Sequence, residues 1–490
     1  MNVRIFIFLL TFTTLLLFVI SPDSYTHELF VRTDSACFFT AGKAWMNGMV
    51  PYVDFADSKG PLLWLIYGIG YLISHSDYTG VFWISCLWYG ATYYITYLTA
   101  QLLLNDKRKA FVSTIFMSLA FFMYFIHYEI RAEDFCLPFV MLSIYADCRL
   151  FYGGNTTHKT TIKQFYALGI SFAALLMMKF SVAAMQGIFI LYALYFLVRE
   201  RKSFIMPIAS FTAGVLTITL PFVVYFMIAG NFEAFIHEYF FNTMMTVKPK
   251  ESFPMSYIHE FTKSTFNYHF IPLFILIMII IGGTTYGKGL RKYKWFPLLT
   301  GLFIYALCVI QGHSYYFCIP ATCLLFFVLT IMRHVRLRFR GTTMIFSVLM
   351  TFALTVLISQ TDRQQYHHFS WSSNQYHKDF HNAANLMSQV KNSTFMVMHS
   401  CGVGLETPAE ALPACKYWIY QKGATPEMIK DQQEAIRHQK PDFIYAKSDQ
   451  DLEVGNITVE TLDSLGYHLC YQFKNPIGNK VSLFTKHPLN

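Results

Sequence analysis

Apolar segments long enough to cross a lipid bilayer recur from the N-terminus to about Gln360. A transmembrane helix needs about 17 to 25 mostly apolar residues. Charged residues make up only 14% of the 490 residues, whereas a soluble domain carries about 25%. The sequence therefore predicts a polytopic α-helical membrane protein with about eleven transmembrane helices. The predicted spans are 3–21, 80–104, 110–127, 134–151, 164–179, 182–198, 204–230, 269–286, 295–311, 315–332 and 342–360.

The distribution of charge predicts how these spans are oriented. If the N-terminus is cytoplasmic, the inside loops from Asp106 to Arg340 hold 17 basic residues and only three acidic ones, which are Asp106, Asp147 and Glu200. This asymmetry follows the positive-inside rule and accounts for the net charge of +9, so no nucleic-acid partner is expected. We predict a multi-pass protein of the bacterial inner membrane, with its N-terminus inside and its C-terminus outside. The short basic loops are expected to contact anionic membrane lipids.

The pattern changes at Thr361. Beyond it the apolar runs shrink to strand length, as in TFMVM, DFIYA and VSLF, and PEMIKDQQEAIRHQ between them opens with a proline typical of a helix start. The sequence therefore predicts two domains. Residues 1–360 form a transmembrane catalytic domain with a large first outer loop at 22–79, and residues 361–490 form a small α/β extracytoplasmic domain.

The first outer loop is the most informative segment. An amphipathic helix is predicted from Asp34 through Trp45, ended by Asn47-Gly48. A turn-rich stretch follows, and then the apolar run from Leu62 to Ser74, which is short for a span and is predicted to be a helix at the outer interface. The loop therefore brings carboxylates and a lysine to the outer membrane boundary.

These residues resemble the first periplasmic loop of GT-C glycosyltransferases, in the family-39-like branch of protein O-mannosyltransferases and the lipid A aminoarabinose transferase. The residues that carry the resemblance are Asp34, Gly48, Pro51-Tyr52, Asp57 and Lys59-Gly60-Pro61-Leu62. The family has an acidic pair where this chain has Asp34-Ser35, and a Lys-Pro-Pro-Leu-like motif where it has Lys-Gly-Pro-Leu. The resemblance implies a GT-C-like membrane fold and single displacement with inversion at the anomeric carbon.

The chemistry of such a transfer assigns roles to two residues of the loop. A carboxylate suits the deprotonation of an acceptor hydroxyl, and a cation suits the charge that develops on a departing phosphate. Asp34 is the candidate general base, and Lys59 is the candidate ligand of the donor phosphate. Snorkelling at the interface is the alternative for Lys59. Tyr52 and Asp57 are assigned to substrate binding, with a structural role in the loop as the alternative for Asp57.

A second charged cluster follows the third span, in the sequence HYEIRAEDF. The resemblance implies a second functional carboxylate here, which we assign to Asp134. Its neighbour Glu133 is the alternative for this role. Arg131 pairs with these acids or meets phosphate. The alternative is that Glu133 and Asp134 only cap the following helix, where acids are favourable.

Two further segments contain candidate binding residues. Lys179 interrupts an apolar stretch, and buried ionisable residues in membranes are usually paired or functional. The resemblance implies a lysine at this turn, and an ordinary interhelical charge is the alternative. His313 and Tyr316 lie in GHSYYFCIP, where the family has an aromatic-rich segment and where an interfacial aromatic belt explains the tyrosines equally well.

Together these features predict a membrane glycosyltransferase of the cell envelope. It would move a sugar from a polyprenyl-phosphate donor to a lipid, glycan or protein acceptor at the outer face. The alternatives are a polysaccharide polymerase or ligase, and a transporter. No cofactor is expected, and the cysteines form no CxxC pair of the spacing typical of a zinc site. The alternative to a metal-free protein is a divalent ion bound by the outside carboxylates.

Overall fold

The chain was analysed as a computed structural model. It describes residues 3–21, 23–24, 34–122, 130–154, 156–246, 255, 258–259, 261–263, 270–288, 292–311, 314–335, 341–365, 375–398, 404–419, 425–446, 454–474 and 479–488.

Helices dominate the chain up to Gln365. They are α1 (Val3–Ile20), α2 (Asp34–Met46), α3 (Pro61–Ile73), α4 (Thr79–Leu104), α5 (Lys107–Phe121), α6 (Ala132–Tyr152), α7 (His158–Met178), α8 (Phe180–Ala183), α9 (Gly187–Arg199), α10 (Ile205–Ile228), α11 (Phe232–Ile236), α12 (Thr243–Thr246), α13 (Ile271–Lys288), α14 (Phe296–Ile310), α15 (Cys318–Ala321), α16 (Leu324–His334) and α17 (Gly341–Gln365). Ala184–Gln186 and Ser314–Phe317 are 3-10 turns, and His237–Asn242 is a π-helical turn.

In the described residues the predicted spans fall on helical segments, but 315–332 is divided into a 3-10 turn and two helices, and residues 123–127 of the span 110–127 lie outside the described residues. The count of eleven is not confirmed. Among the described residues, six helices are long and apolar enough to cross a membrane, or seven if the bent pair Tyr315–Ala321 and Leu324–His334 forms one span. The difference has a compositional cause. Helix α4 is long but rich in tyrosine and threonine, and α5 and α14 have only 15 residues each.

The loops gather at two ends of the helical bundle. At one end, Lys292 forms an ion pair with Glu200 (3.0 Å) and Lys202 donates to the carbonyl oxygen of Thr156 (3.5 Å). Helix α7 starts beside this basic end and finishes at Lys179, roughly 30 Å away by its helical rise. The predicted inside loops and the predicted site therefore lie at opposite ends of the bundle.

The first outer loop folds into a helical hairpin. Both helices lie close to their predicted bounds, and Gly48 ends the first stretch with a positive φ of 88°. Gly42 of α2 touches the backbone of α3, because a Cβ at this position would lie 2.4 Å from the amide nitrogen of Gly68. This close approach buries ten of the 13 residues of α2.

The C-terminal region is a small α/β unit, as predicted. Its elements are α18 (Gln375–Ser388), β1 (Thr394–Val397), β2 (Leu412–Pro413), α19 (Pro426–Arg437), β3 (Phe443–Ala446), α20 (Val459–Ser464), β4 (His468–Lys474) and β5 (Lys480–Thr485). The sheet order is β2-β1-β3-β5-β4. Strand β1 runs parallel to β2 and β3, whereas β5 is antiparallel to β3 and β4. Strand β3 is fully buried at the centre, which explains its continuous apolar sequence.

Asp147 differs from its predicted position in an inside loop. It lies within α6 and is fully buried, because the helix continues to Tyr152.

Candidate functional site

Three ion pairs converge at the end of the bundle that carries the first outer loop. Arg131 lies 3.7 Å from Asp34, Lys59 lies 3.9 Å from Asp57, and Lys179 pairs closely with Glu133. The six charged groups also act on one another electrostatically, since Lys59 is influenced by both Lys179 and Asp34. The site therefore holds three cations, each beside a carboxylate, which compensates for the cost of burying their charges.

Two stacked tyrosine rings form one wall of this charged cluster. The rings of Tyr315 and Tyr316 lie 5.0 Å apart. The guanidinium of Arg131 is 4.2 Å from the centre of the Tyr315 ring, and the ammonium of Lys179 is 4.2 Å from that of Tyr316. Such cation–π contacts hold the two cations where the bent helix pair begins.

The loop that carries Lys59 is pressed against the end of α7. The amide of Gly60 donates to the carbonyl oxygen of Met178 (3.0 Å), and a Cβ on Gly60 would lie 2.0 Å from the carbonyl oxygen of Met177. Only glycine fits this approach without a backbone shift. The contact brings Lys59 to the turn that holds Lys179.

Tyr52 packs under this loop and bonds to its backbone. It is fully buried with a positive φ of 65°, and its hydroxyl donates to the carbonyl oxygen of Lys59 (3.1 Å). Its ring packs on Trp64 and Phe235. Tyr52 therefore has a structural role, because its ring fills the core under the loop, and its predicted substrate contact stays a prediction.

Lys59 remains a cation in this setting. Burial and the nearby Lys179 oppose its charge, but Asp57, Asp34 and Tyr316 together outweigh them and raise the pKa of Lys59. Its ammonium also donates to the hydroxyl of Ser58 (2.9 Å) and lies 5.3 Å from the centre of the Phe38 ring. Asp57 thus acts on the site by holding Lys59 charged and in place.

The backbone on either side of Arg131 is fixed by residues from three elements. The amide of Ile130 donates to Asp23 (3.2 Å), and the carbonyl oxygen of Ile130 accepts from the hydroxyl of Tyr67 (2.6 Å). The amide of Arg131 donates to Asp134 (2.9 Å). These bonds direct the guanidinium toward Asp34.

Asp134 uses both of its oxygens in the structure of the chain. One accepts from the amide of Arg131 at the start of α6, and the other accepts from the hydroxyl of Tyr89. The side chain is 4% exposed. This arrangement is the helix cap expected from the sequence as the alternative role of Asp134. The catalytic role that the resemblance implies for Asp134 stays a prediction.

Asp34 is the most accessible of the charged groups. Its side chain is 21% exposed, compared with 3% for Glu133 and 10% for Asp57. It lies in the first turn of α2, with its carboxylate facing Arg131. Of the three paired carboxylates, Asp34 is therefore the one that an acceptor molecule reaches most easily.

His313 lies outside the described residues, so its predicted binding role is untested. Within the described part of the chain, no group of three or more His, Cys, Asp or Glu residues has the arrangement of a metal site. The expectation that the protein uses no metal stays a prediction.

Sequence reasoning missed the residues that fix the backbone and side chains around the site. Tyr89 donates to Asp134, and Asp23, Tyr67 and Tyr239 bond to the backbone of Ile130 and Phe180, the chain neighbours of Arg131 and Lys179. Tyr239, for example, donates to the carbonyl oxygen of Leu176 (2.6 Å) and fixes the end of α7. Asp23 carried a signal, because an acid directly after the first span is uncommon at a membrane boundary; the tyrosines are indistinguishable from an aromatic belt.

Comparison with known proteins identifies related sequences and folds. The sequence pattern of the dolichyl-phosphate-mannose-protein mannosyltransferase family matches residues 58–226, which include Lys59, Arg131 and Lys179 but not Asp34. ArnT from Cupriavidus metallidurans, solved bound to undecaprenyl phosphate, has a TM-score of 0.63 and 10% identity, and the match covers 98% of each chain. Its apo structure gives the same values. The arabinofuranosyltransferase AftD from Mycobacteria has a TM-score of 0.52 and 13% identity over 100% of this chain and 42% of its own.

No curated protein sequence matches the chain. The family match over residues 58–226 and the shared fold support the predicted resemblance to GT-C membrane glycosyltransferases. At 10% to 13% identity, the structural similarity concerns the fold.

Proposed function

We propose that the chain transfers a sugar from a polyprenyl-phosphate donor to a hydroxyl of a lipid, glycan or protein acceptor, with inversion. One observation carries this proposal. An accessible carboxylate, Asp34, lies 3.7 Å from a cation at the edge of a buried cluster that contains Lys59, Arg131 and Lys179. A general base beside a phosphate-binding cluster is what transfer from a sugar phosphate requires.

In this proposal Asp34 accepts the proton of the acceptor hydroxyl. The acceptor oxygen then forms a bond to the anomeric carbon, while the bond from that carbon to the phosphate oxygen breaks and its electron pair leaves with the polyprenyl phosphate. The attack comes from the face opposite the phosphate, so the configuration inverts. The 21% exposure of the Asp34 side chain supports its access to the acceptor.

The cations stabilise the charge that develops on the phosphate. Lys59, whose pKa is raised beside Asp57, keeps its charge at neutral pH. Arg131 and Lys179 contribute the remaining positive charge, and the ring of Tyr316 holds Lys179 in place through a cation–π contact. Since the three cations are already fixed by buried contacts, they need little reorganisation when the donor enters.

The donor class and the cellular setting are also part of the proposal. ArnT, which shares the fold, was solved with undecaprenyl phosphate, and this supports a polyprenyl-linked donor for the present chain. We place the C-terminal domain outside a bacterial inner membrane and the basic loop end inside, on the positive-inside charge asymmetry. A polymerase or ligase, or a transporter, remains the alternative function.

The decisive experiment is a transfer assay with the purified protein in lipid, using labelled polyprenyl-phosphate sugars and a membrane extract as acceptor. We expect Asp34→Asn to lower the rate by about 10²- to 10⁴-fold, because it removes the general base. Lys59→Met should raise KM for the donor and also lower kcat. Asp54→Asn is the matched control, because Asp54 is an exposed acid of the same loop that only accepts a bond from the amide of Val50 (2.7 Å).

Three outcomes would count against the proposal. Full activity in a folded Asp34→Asn variant would assign the base elsewhere. Loss of transfer with a chelator, restored by a divalent cation, would contradict the metal-free mechanism. Movement of a polyprenyl-linked substrate across the bilayer without transfer would favour the transporter.

A further inference from the structure

A segment of the C-terminal domain crosses the first outer loop. This docking segment, residues 404–419, connects β1 to α19 and includes β2. It is rooted in the sheet, because the amide of Val397 donates to the carbonyl oxygen of Trp418 (2.8 Å) and the amide of Ala414 donates to that of Phe395 (3.0 Å). The buried amide of Gln432 also donates to the carbonyl oxygen of Tyr417 (2.7 Å).

One end of the docking segment holds α2 through a buried charge. Glu406 is fully buried, and its carboxylate accepts from the hydroxyls of Tyr445 (2.6 Å) and Thr40 (3.4 Å). The ammonium of Lys43, also fully buried, donates to the backbone carbonyl oxygen of Glu406 (2.7 Å). Thr40 and Lys43 belong to the helix that starts with Asp34.

The other end of the docking segment holds the loop that carries Lys59. The amide of Ala56 donates to the carbonyl oxygen of Lys416 (2.9 Å), three residues before Lys59. The ammonium of Lys416 forms an ion pair with Glu238 (2.6 Å), and the hydroxyl of Tyr417 donates to the same carboxylate (2.9 Å). Glu238 is 5% exposed and lies in the π-helical turn between α11 and α12.

These contacts connect two residues of the site that lie on separate parts of the loop. Asp34 starts one helix, whereas Lys59 directly precedes the next helical stretch. The contacts with Glu406 act on the first part, and those with Lys416 act on the second. Buried charged contacts of this kind depend strongly on geometry, so a shift of the docking segment would change the spacing between the two residues.

We propose that Glu406 and Lys416 are positioning residues, through which the C-terminal domain sets the geometry of Asp34 relative to Lys59. The proposal rests on the proposed function, in which Asp34 is the base and Lys59 binds the donor phosphate. It assigns the C-terminal domain a part in the transfer step.

The first test compares Glu406→Gln with Glu434→Gln in the full-length protein. Glu434 lies on exposed α19, where it pairs with Lys430 (3.7 Å), and it is therefore a matched control in the same domain. We expect Glu406→Gln to increase hydrogen exchange in 34–46 and to lower kcat about tenfold or more, because the base is misplaced. Exchange in the sheet strands and in α7 should stay at the wild-type level, and Glu434→Gln should change neither quantity.

A double variant separates positioning from loss of folding. In Glu406→Gln the buried Lys43 loses its compensating carboxylate, and Lys43→Met removes that uncompensated charge. Because Lys43→Met also removes the bond to the carbonyl oxygen of Glu406, Lys43→Met/Glu406→Gln should recover thermal stability while 34–46 stays unprotected and kcat stays low. Activity that follows only the amount of folded protein, with wild-type exchange in 34–46, would overturn the role of Glu406.

The second test addresses the other end of the docking segment. Lys416→Met should raise the KM for the donor about fivefold and increase exchange in 50–60, with exchange in 34–46 unchanged. The matched control is Lys430→Met, whose side chain is 75% exposed in the wild type. Unchanged KM and exchange in Lys416→Met would overturn its positioning role.

The two readouts also distinguish this proposal from the proposed function. Hydrogen exchange requires no donor. Local loss of protection in a protein that transfers no sugar would refute the proposed function while retaining the contact between domains. Normal transfer with no local change in exchange would refute the positioning role alone.

Discussion

Gly60 illustrates how one residue without a side chain assembles the site. Gly60 is the second residue of the Lys-Gly-Pro-Leu motif. The backbone of Met177 occupies the space of a Cβ, so the motif and the end of α7 meet main chain to main chain. The lysines that precede and follow this contact, Lys59 and Lys179, come together because of it.

We therefore predict that Gly60→Ala separates the two lysines. The added Cβ would lie 2.0 Å from the carbonyl oxygen of Met177, so the loop must shift. Transfer assays should give a higher KM for the donor, because the cations that bind its phosphate then lie farther apart. Gly187→Ala is the control, since no atom lies within 4 Å of a Cβ added there. A Gly60→Ala enzyme with wild-type KM would refute the importance of this contact.

At the scale of elements, an aspartate caps the start of α5 and another caps the start of α6. Asp106 accepts from the amides of Arg108 (2.8 Å) and Lys109 (3.1 Å) at the start of α5, at the basic end of the bundle. Asp134 performs a similar task at the start of α6, but there it also fixes the amide of Arg131. At the basic end the aspartate therefore only caps a helix, whereas at the other end it also orients a residue of the site.

This comparison predicts distinct effects of substitution. Asp106→Ala should lower stability by about 1 kcal/mol without changing kcat or KM. Asp134→Ala should reduce transfer, because Arg131 loses its orientation, whereas Asp134→Asn should retain most of the activity, because its amide oxygen still accepts from the amide of Arg131 and its NH2 can donate to the oxygen of Tyr89. The measurements are thermal unfolding and steady-state transfer kinetics. An Asp134→Asn enzyme as inactive as Asp34→Asn would instead identify Asp134 as a catalytic carboxylate.

The strand β3 begins beside another network of charge. Burial alone would raise the pKa of Asp442, but hydrogen bonds from His487 (2.7 Å) and Thr394 (2.8 Å) outweigh it and lower the pKa to about 2. Through Asp442, β3 is tied to β1 and to the C-terminal end of β5. The free energy of unfolding of this domain therefore depends on the ionised carboxylate.

The sign of the resulting pH dependence follows from the lowered pKa. The unfolded state binds the proton more readily, so the stabilisation is complete above about pH 4 and is lost as the pH falls toward 2. We expect Asp442→Asn to cost about 1 kcal/mol at neutral pH, after allowance for solvent screening, and almost nothing at pH 2. Hydrogen exchange of β1 and β3 across this range measures the difference. A cost that is independent of pH would contradict the role of the charge.

At the scale of the whole molecule, the helical bundle has one basic end and one end covered by the C-terminal domain. The docking segment joins that domain to the first outer loop, and Lys292, Glu200 and Lys202 occupy the other end. On the positive-inside rule we predict that the basic end faces the cytoplasm.

Cysteine labelling of intact cells checks this orientation. Lys480→Cys, exposed in β5, should react with a membrane-impermeant thiol reagent. Lys107→Cys, exposed at the start of α5, should react only after the cells are permeabilised. The wild-type protein provides the background from its native cysteines, and the reverse pattern would invert the proposed topology.

The sequence predicted the parts of the molecule that depend on local pattern. Apolar runs predicted the helices, because a segment in lipid must satisfy its own backbone hydrogen bonds. Short alternating runs predicted the C-terminal α/β region, and Asn47-Gly48 predicted the end of α2. The eleven spans were not confirmed as a count, because length and composition leave helices such as α5 and α14 marginal.

The site was predictable as a set of charged residues, but not as an arrangement. The sequence predicts that Asp34, Lys59, Arg131, Glu133 and Lys179 lie near one membrane face, because the predicted spans between them place each residue on the same side. Only the tertiary structure decided the pairing: Asp34 with Arg131, Glu133 with Lys179, Asp134 with Tyr89, and Tyr52 with the core. The physical reason is that such pairings depend on ångström-scale distances between helices distant in sequence, and those distances are set by close contacts such as that of Gly60.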